Sequence, residues 1–292
     1  MTAIPSFTMN NGRTIPALGY GVFLMTSDQV REHLPQALKL GYRHIDTANV
    51  YFNEVAVGEV VRDAIAAGEL AREDLFITTK LFPQSYPYAQ AVEDIDATLA
   101  RLGLDYVDLL LFHQPYGEYV SGWKAMEEAV AAGRVRSIGL SNFPIAKFQE
   151  ILDVAEIIPA VHQVEAHPRW NQHELKARMS EATGTEVLVE AWYPLGHGDK
   201  TLLEEPAIAA AAQRTGATPA QVILAWHLAE RNITFPKTLS PAHMADNLAA
   251  LDVELTAAEI ATINGIPQQP YYRIPDEPPA FVLTTNDYSQ QA

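Results

Sequence analysis

The chain predicts an α/β fold, a (β/α)8 TIM barrel with an N-terminal β-hairpin and an irregular C-terminal tail. Three observations predict it. Short β-branched or leucine-rich runs alternate with amphipathic helical stretches from one end of residues 1–265 to the other. The runs number eight, and each is followed by a helical stretch. The length of 292 residues covers the roughly 250 that such a barrel takes and leaves room for additions at both ends.

The elements follow in order. "SFTMNNGRTIPA" reads as a hairpin turning at Asn-Gly, placed to plug the bottom of the barrel. Candidate strands fall at 17–22, 44–46, 75–80, 107–113, 136–141, 160–165, 186–190 and 233–236. Between them stand "EVAVGEVVRDAIAAG", "YAQAVEDIDATLARLG", "GWKAMEEAVAAG", "IAKFQEILDVA", "QHELKARMSEATG" and "PAIAAAAQRTG", apolar at helical spacing and several closed by Gly. "SDQVREHLPQALKLG" joins them, with Pro35 expected to kink or shorten its helix. Residues 1–266 form the barrel by this reading. Residues 267–292, rich in Pro and Tyr and without periodicity, form a tail over or beside it, either draped across the domain or partly disordered. An open doubly wound sheet is the runner-up. It is weakened because no G-x-G-x-x-G follows the first strand, where "GYGVFL" supplies only two of the glycines.

Composition narrows the function. With 36 acidic and 20 basic residues the net charge is −16, which speaks against nucleic-acid binding. No cysteine is present, so disulfides, thiolate metal sites and a cysteine nucleophile are all excluded. The N-terminus lacks a basic region followed by an apolar run, and "YVDLLLF" is too short to span a bilayer. The expectation is a soluble cytoplasmic protein with no membrane partner.

In a barrel of parallel strands the chemistry gathers at the strands' C-terminal ends. Read in order, those ends carry Asp46, Lys80, His113, Ser141-Asn142, Gln163, Glu190 to Trp192, and Lys237. Singly, each has an ordinary explanation. Lys80 reads as a surface lysine, His113 as a loop histidine, Tyr51 as packing and Asp46 as a turn cap. Together they match one reaction. Carbonyl reduction needs a proton donor, and a phenol near pKa 10 is a poor one at neutral pH. A neighbouring ammonium lowers that pKa, a carboxylate holds the ammonium in place, and an imidazole orients the carbonyl oxygen. Tyr51, Lys80, Asp46 and His113 fill those roles in order.

These residues sit in motifs that resemble the aldo-keto reductases: "GYRHIDTANVYFNE", "ITTKL", "DLLLFHQP", "WKAMEEAVAAGRVRSIGLSNF" and "FPKTLSPAHMADN". The resemblance runs to about residue 266 and is strongest with bacterial, short-loop members of the 2,5-diketo-D-gluconate reductase type. It implies a barrel that binds NADPH without a Rossmann motif, a catalytic tetrad at Asp46, Tyr51, Lys80 and His113, and a monomer. It also implies cofactor contacts from Gly21, Val22 and Asp46, and a nicotinamide carboxamide held by Ser141, Asn142 and Gln163. Trp192 would stack on the nicotinamide, with Tyr193 standing where relatives often have Ser. Leu195 would offer a backbone contact to the pyrophosphate. Lys237, Thr238 and Asn247 match the segment that grips the adenosine 2′-phosphate and adenine.

Several positions depart from the family pattern. His243 stands where NADPH-selective relatives carry Arg, and Asp246 where they carry Glu. An imidazole offers one donor where guanidinium offers a fork, so the implied NADPH preference is weakened and NADH use is open, the alternative being that Lys237 alone suffices for ordinary selectivity. Phe23, Tyr51, Phe82, His113 and Gln114 are the implied substrate contacts. Phe82 replaces a common Trp, and so does Gln114. The short loop in "HQPYGEYVSGW" implies a shallow, open pocket for a small α-dicarbonyl, keto-sugar or keto-acid. Tyr271 and Tyr272 either reach that pocket or cover the barrel.

No metal is expected. In "HQVEAHP", strand alternation sends His162 away from Glu165 and His167. "DIDATLARLGLD" reads as a solvated acidic helix face. Two other functional classes compete with the reductase. One is an NADP(H)-sensing regulatory protein with little turnover, which the intact tetrad disfavours. The other is a Schiff-base lyase at Lys80, disfavoured because paired Asp46 would keep the amine protonated.

Overall fold

A computed structural model describes residues 3–291. Eight parallel strands run in sequence order: β3 (Tyr20–Gly21), β4 (His44–Asp46), β5 (Phe76–Leu81), β6 (Leu109–Phe112), β7 (Ile138–Ser141), β8 (Val161–Glu165), β9 (Leu188–Trp192) and β10 (Ile233–Thr234). The sheet closes through a parallel bridge between Leu18 and Thr234. All eight candidate strands are present, most trimmed by a residue or more because the pairing ends where the chain turns outward. β1 (Ser6–Thr8) and β2 (Thr14–Pro16) form the antiparallel hairpin, with Gly12 at φ 80 in its turn. Its Met9 and Ile15 pack with Phe76, Leu109, Leu111, Val161 and Leu188, which places the plug against the N-terminal halves of the barrel strands.

The helices α1 (Ser27–Leu40), α2 (Glu54–Ala66), α3 (Tyr88–Leu102), α4 (Tyr119–Ala131), α5 (Ile145–Leu152) and α6 (His173–Thr183) follow successive strands from β3 to β8. After β9 come α7 (Lys200–Leu203), α8 (Pro206–Thr215) and α9 (Pro219–Ala229), and after β10 come α10 (Pro241–Leu248) and α11 (Ala257–Asn264). Three of these begin with Thr and carry Gln or Glu three residues later. At Thr26–Gln29, Thr218–Gln221 and Thr256–Glu259 both hydrogen bonds of a capping box are made. α1 passes through Pro35 and runs on to Leu40, so of the expected kink or shortening the shortening does not occur. Its capping box, its left-handed Gly41 stop and the burial of Val30, Leu34, Ala37 and Leu38 outweigh the roughly 3 kcal/mol that an interior proline costs.

Strand register sets the level of the site. Gly21 pairs with Asp46, Asp46 with Thr78, Ser141 with Gln163, and Gln163 with Glu190. Gly21 is required by its neighbour as well, since a Cβ there would lie 2.8 Å from the Phe235 carbonyl oxygen.

The tail drapes over the C-terminal face. Val282, in α12 (Ala280–Leu283), packs with Phe82, Tyr116 and Tyr288. At the far end Gln291 accepts from the Glu54 backbone N–H at 2.9 Å and donates to the Asn49 carbonyl at 3.1 Å. No helix among the described residues is long and apolar enough to cross a membrane.

Candidate active site

Asp46 ends β4, and Tyr51 closes the short 3-10 turn Asn49–Tyr51 that follows it. Asn53 ties that turn down, accepting from the Thr47 hydroxyl and donating to the carbonyls of Val22 and Met25. Lys80 rises from β5 and is fully buried. Its ammonium donates to Asp46 Oδ1 and Oδ2 at 2.7 and 2.8 Å, to the Thr47 carbonyl at 2.8 Å and to the Tyr51 hydroxyl at 3.3 Å. His113, just beyond β6, stands edge-on to the Tyr51 ring at 5.6 Å, and Phe82 stands edge-on to His113 at the same distance. The four sequence-predicted tetrad residues therefore meet in one cluster.

Electrostatics set their protonation states. Burial pushes the Tyr51 phenol up to about 12, against the downward pull of Lys80. This reverses the expected lowering: the low-dielectric setting penalises a phenolate more than one ammonium already paired to Asp46 relieves it. Tyr51 is consequently a protonated donor at neutral pH. Burial disfavours the Lys80 ammonium, but Asp46 and then Tyr51 outweigh it and raise the lysine above its ordinary value. Burial, reinforced by the Lys80 charge beside it, lowers His113 well below the usual imidazole range. The imidazole is neutral, and its buried Nδ1 has no partner among the described residues.

Of the cofactor residues named from sequence, Asn142 and Gln163 contact the tetrad directly. Asn142, left-handed at φ 67, donates to the His113 carbonyl and to Ser141 Oγ, and accepts from Trp192 Nε1 at 2.9 Å. That bond orients the half-buried indole at the end of β9. Tyr193 is also left-handed, at φ 53, and stacks on His197 at 4.0 Å. A left-handed tyrosine costs about 1–2 kcal/mol, which the surrounding contacts must offset. Leu195 begins the turn Gly196–Gly198. Beyond β10, Lys237 is exposed, Thr238 Oγ1 accepts from the Ser240 N–H, and Ser240 caps α10. His243 is exposed in the first turn of that helix, and Asn247 is buried on it.

The substrate side differs from expectation in one respect. Phe23 is exposed and leans on Tyr51 with ring centroids 5.0 Å apart, but Phe82 is buried at 2%. Phe281 of the tail stands 6.3 Å from Phe82. Gln114 is half-buried, with its backbone tied to the Tyr86 hydroxyl.

Sequence reasoning missed three contributors. Glu190 was noticed only as a strand end. Its carboxyl accepts from Gln163 Nε2 at 3.0 Å, while the same nitrogen donates to Asp46 Oδ2 at 2.8 Å. Glu165 accepts from His167 and from the backbone N–H groups of Tyr271 and Tyr272, anchoring the tail. Asp199 joins Arg169, Thr201 and the Tyr271 hydroxyl, locking the loop after β9 to the tail. Two adjacent tyrosines after a Pro-rich run were the available signal for the latter two. His162 faces away from Glu165 and His167, bonded to the Phe143 N–H and set against Met179 sulfur.

A family model described as "Aldo/keto reductase family" matches residues 17–267. The chain belongs to that family. An aldo-keto reductase of Mycobacterium sp. (strain MCS) is 39% identical over 273 residues, covering 92% of this chain and 93% of the relative. A Pseudomonas putida protein named morphine 6-dehydrogenase is 38% identical over 274 residues, covering 89% and 90%. Among solved structures, a Bombyx mori aldo-keto reductase in complex with NADP superposes with a TM-score of 0.85 at 31% identity, covering 94% of this chain and 96% of that one. Family membership makes the protein an oxidoreductase of the aldo/keto reductase type. The donor set here fits a nicotinamide dinucleotide: an aromatic face at Trp192, amide groups at Asn142 and Gln163, and an exposed cation beside a capped helix start at Lys237 and Ser240.

Proposed function

We propose that the protein reduces aldehydes and ketones to alcohols with NAD(P)H, reversibly, with Tyr51 as proton donor. The observation that carries this reading is the buried Lys80 ammonium reaching both Asp46 and the Tyr51 hydroxyl. When bound, the nicotinamide supplies the hydride to the carbonyl carbon. Tyr51 gives its hydroxyl proton to the carbonyl oxygen, and Lys80 stabilises the phenolate as it forms. Asp46 keeps Lys80 charged and fixed, which also disfavours a nucleophilic amine. The neutral His113 has a donor to offer the carbonyl oxygen and orients it beside Tyr51. Ser141, Asn142 and Gln163 hold the carboxamide, Trp192 packs on the ring, and Gly21, Val22 and Leu195 border the cofactor.

NADPH is the expected cofactor through Lys237, Thr238 and Asn247, with His243 weakening its advantage over NADH. Residues 1–266 are the catalytic barrel and 267–292 its cover. The tail packed on Phe82 favours a small α-dicarbonyl, keto-sugar or keto-acid over a bulky ketone. A relative's name, morphine 6-dehydrogenase, makes a polycyclic alcohol the natural counter-test. Turnover of methylglyoxal, phenylglyoxal and a keto-sugar with NADPH and NADH, set beside morphine oxidation, tests the reading. A wild-type protein that binds NADPH and turns over none of them contradicts it.

A further inference from the structure

Beneath the tetrad, one cation serves two carboxyl groups. Gln163 Nε2 has two hydrogens, one directed to Asp46 Oδ2 and one to Glu190 Oε2, at 2.8 and 3.0 Å. The amide cannot be turned over, because its carbonyl oxygen would then face two acceptors. Among the described residues Lys80 is the cation in contact, and its hydrogens go to Asp46, the Thr47 carbonyl and Tyr51, none to Glu190.

The other oxygen of Glu190 decides its state. Oε1 is buried without a hydrogen-bond partner among the described residues and lies 3.6 Å from His44 Nε2. His44 Nδ1 sits 3.3 Å from the Pro16 carbonyl, which only accepts, so Nδ1 carries the hydrogen and Nε2 presents a lone pair. The Thr78 hydroxyl donates to that lone pair at 2.9 Å, so His44 offers Glu190 no hydrogen, and a carboxylate there would keep one oxygen buried without a donor. Burial and the Asp46 charge favour a neutral acid at Glu190 and outweigh the Gln163 donor and the Lys80 charge, which favour the carboxylate. β4 contributes His44 and Asp46, β5 contributes Thr78 and Lys80, β8 contributes Gln163, and the adjacent β10 carries the buried, unpartnered Thr234 hydroxyl. Burial and then Asp46 push the Glu190 carboxyl up to about 8, while burial holds His44 down at about 3.

We propose that Glu190 is a positioning residue that stores a proton under the catalytic ion pair, and that releasing it tilts the site from the neutral reduced nicotinamide toward the positively charged oxidised one. On ionisation the Glu190 O–H bond breaks, the proton leaves to solvent, and the electron pair stays on the carboxylate. The cluster then holds two negative charges against one ammonium, and a net negative charge favours a cationic ring. This rests on the nicotinamide reading above.

The test compares wild type with Glu190→Gln, a neutral side chain that copies the protonated acid in shape. Dissociation constants for NADP+ and NADPH, followed by tryptophan fluorescence from pH 6 to 9.5, give a ratio in which the 2′-phosphate titration cancels. In wild type the NADP+/NADPH ratio falls by roughly threefold or more across a single ionisation. In Glu190→Gln it stays flat. A variant that tracks wild type overturns the proposal. A second measurement on the free protein separates the two readings: the infrared difference between wild type and Glu190→Gln carries a buried carboxylic C=O band at pH 7 that fades on the alkaline side. Its absence at pH 7 overturns the stored proton. Its presence in a protein that binds neither cofactor keeps the proton and overturns the nicotinamide reading and the tilt together.

Discussion

The Tyr51 hydroxyl lies 3.3 Å from the Lys80 ammonium, the longest of that ammonium's contacts, the other three being 2.7–2.8 Å. The lysine is thus held chiefly by Asp46 and the Thr47 carbonyl and is free to tighten on Tyr51 as charge develops on the phenol oxygen. Such an arrangement leaves the resting phenol protonated and reserves the ammonium's pull for the reaction itself.

Lys80→Met strips a fully buried carboxylate of its partner, so a loss of about 3–5 kcal/mol is expected along with activity. Combining it with Asp46→Asn restores much of the stability and none of the turnover. Urea unfolding of the two singles and the double measures this. Additive losses in the double would show that the pair is not coupled.

Acid weakens the fold through its histidines. Burial holds His44 and His162 at about 3, and His227 likewise, against an ordinary value of 6.5. The folded protein keeps them neutral while the unfolded chain protonates them. Their stabilisation is therefore full above pH 6.5 and lost as pH falls toward 3, at about 1.4 kcal/mol per unit and per group. Unfolding free energies at pH 7 and pH 5 read this directly, and equal values would contradict it.

Glu190 acts in the opposite direction. A carboxyl raised from 4.5 to about 8 stabilises the folded state most below pH 4.5, and that contribution is lost as pH rises to 8. Glu190→Gln does not titrate. Its melting temperature relative to wild type should climb between pH 5 and 8, and a constant difference would deny the shift.

Tyr271 bonds Asp199 at 2.5 Å and so joins the tail to the loop that follows β9. Tyr271→Phe is expected to raise the dissociation rate of NADPH several-fold while leaving the melting temperature within a few degrees. Stopped-flow release of the cofactor tests it, and an unchanged rate would detach the tail from cofactor retention.

The barrel was legible because its signals are local. Eight apolar runs, helical stretches closed by Gly and polar residues at strand ends can each be read within a few positions. Asp46, Tyr51, Lys80 and His113 came from that rule, and the structure brings them together. What stayed hidden depends on distant contacts. Gln291 meets Glu54 across 237 residues, and Glu165 meets Tyr271 across 106, without any periodic trace. The raised phenol of Tyr51 was hidden for a related reason: sequence shows that an ammonium is near but not how dry the site is. Glu190 reads as one more apolar-strand end until its register beside Gln163 is known.

The most direct test is Tyr51→Phe against wild type, with NADPH consumption followed on methylglyoxal, phenylglyoxal and a keto-sugar, and NADPH affinity measured alongside. The account predicts a loss of about 10²–10⁴-fold in kcat with cofactor affinity within about threefold of wild type. Turnover that survives the loss of the hydroxyl would contradict Tyr51 as the proton donor.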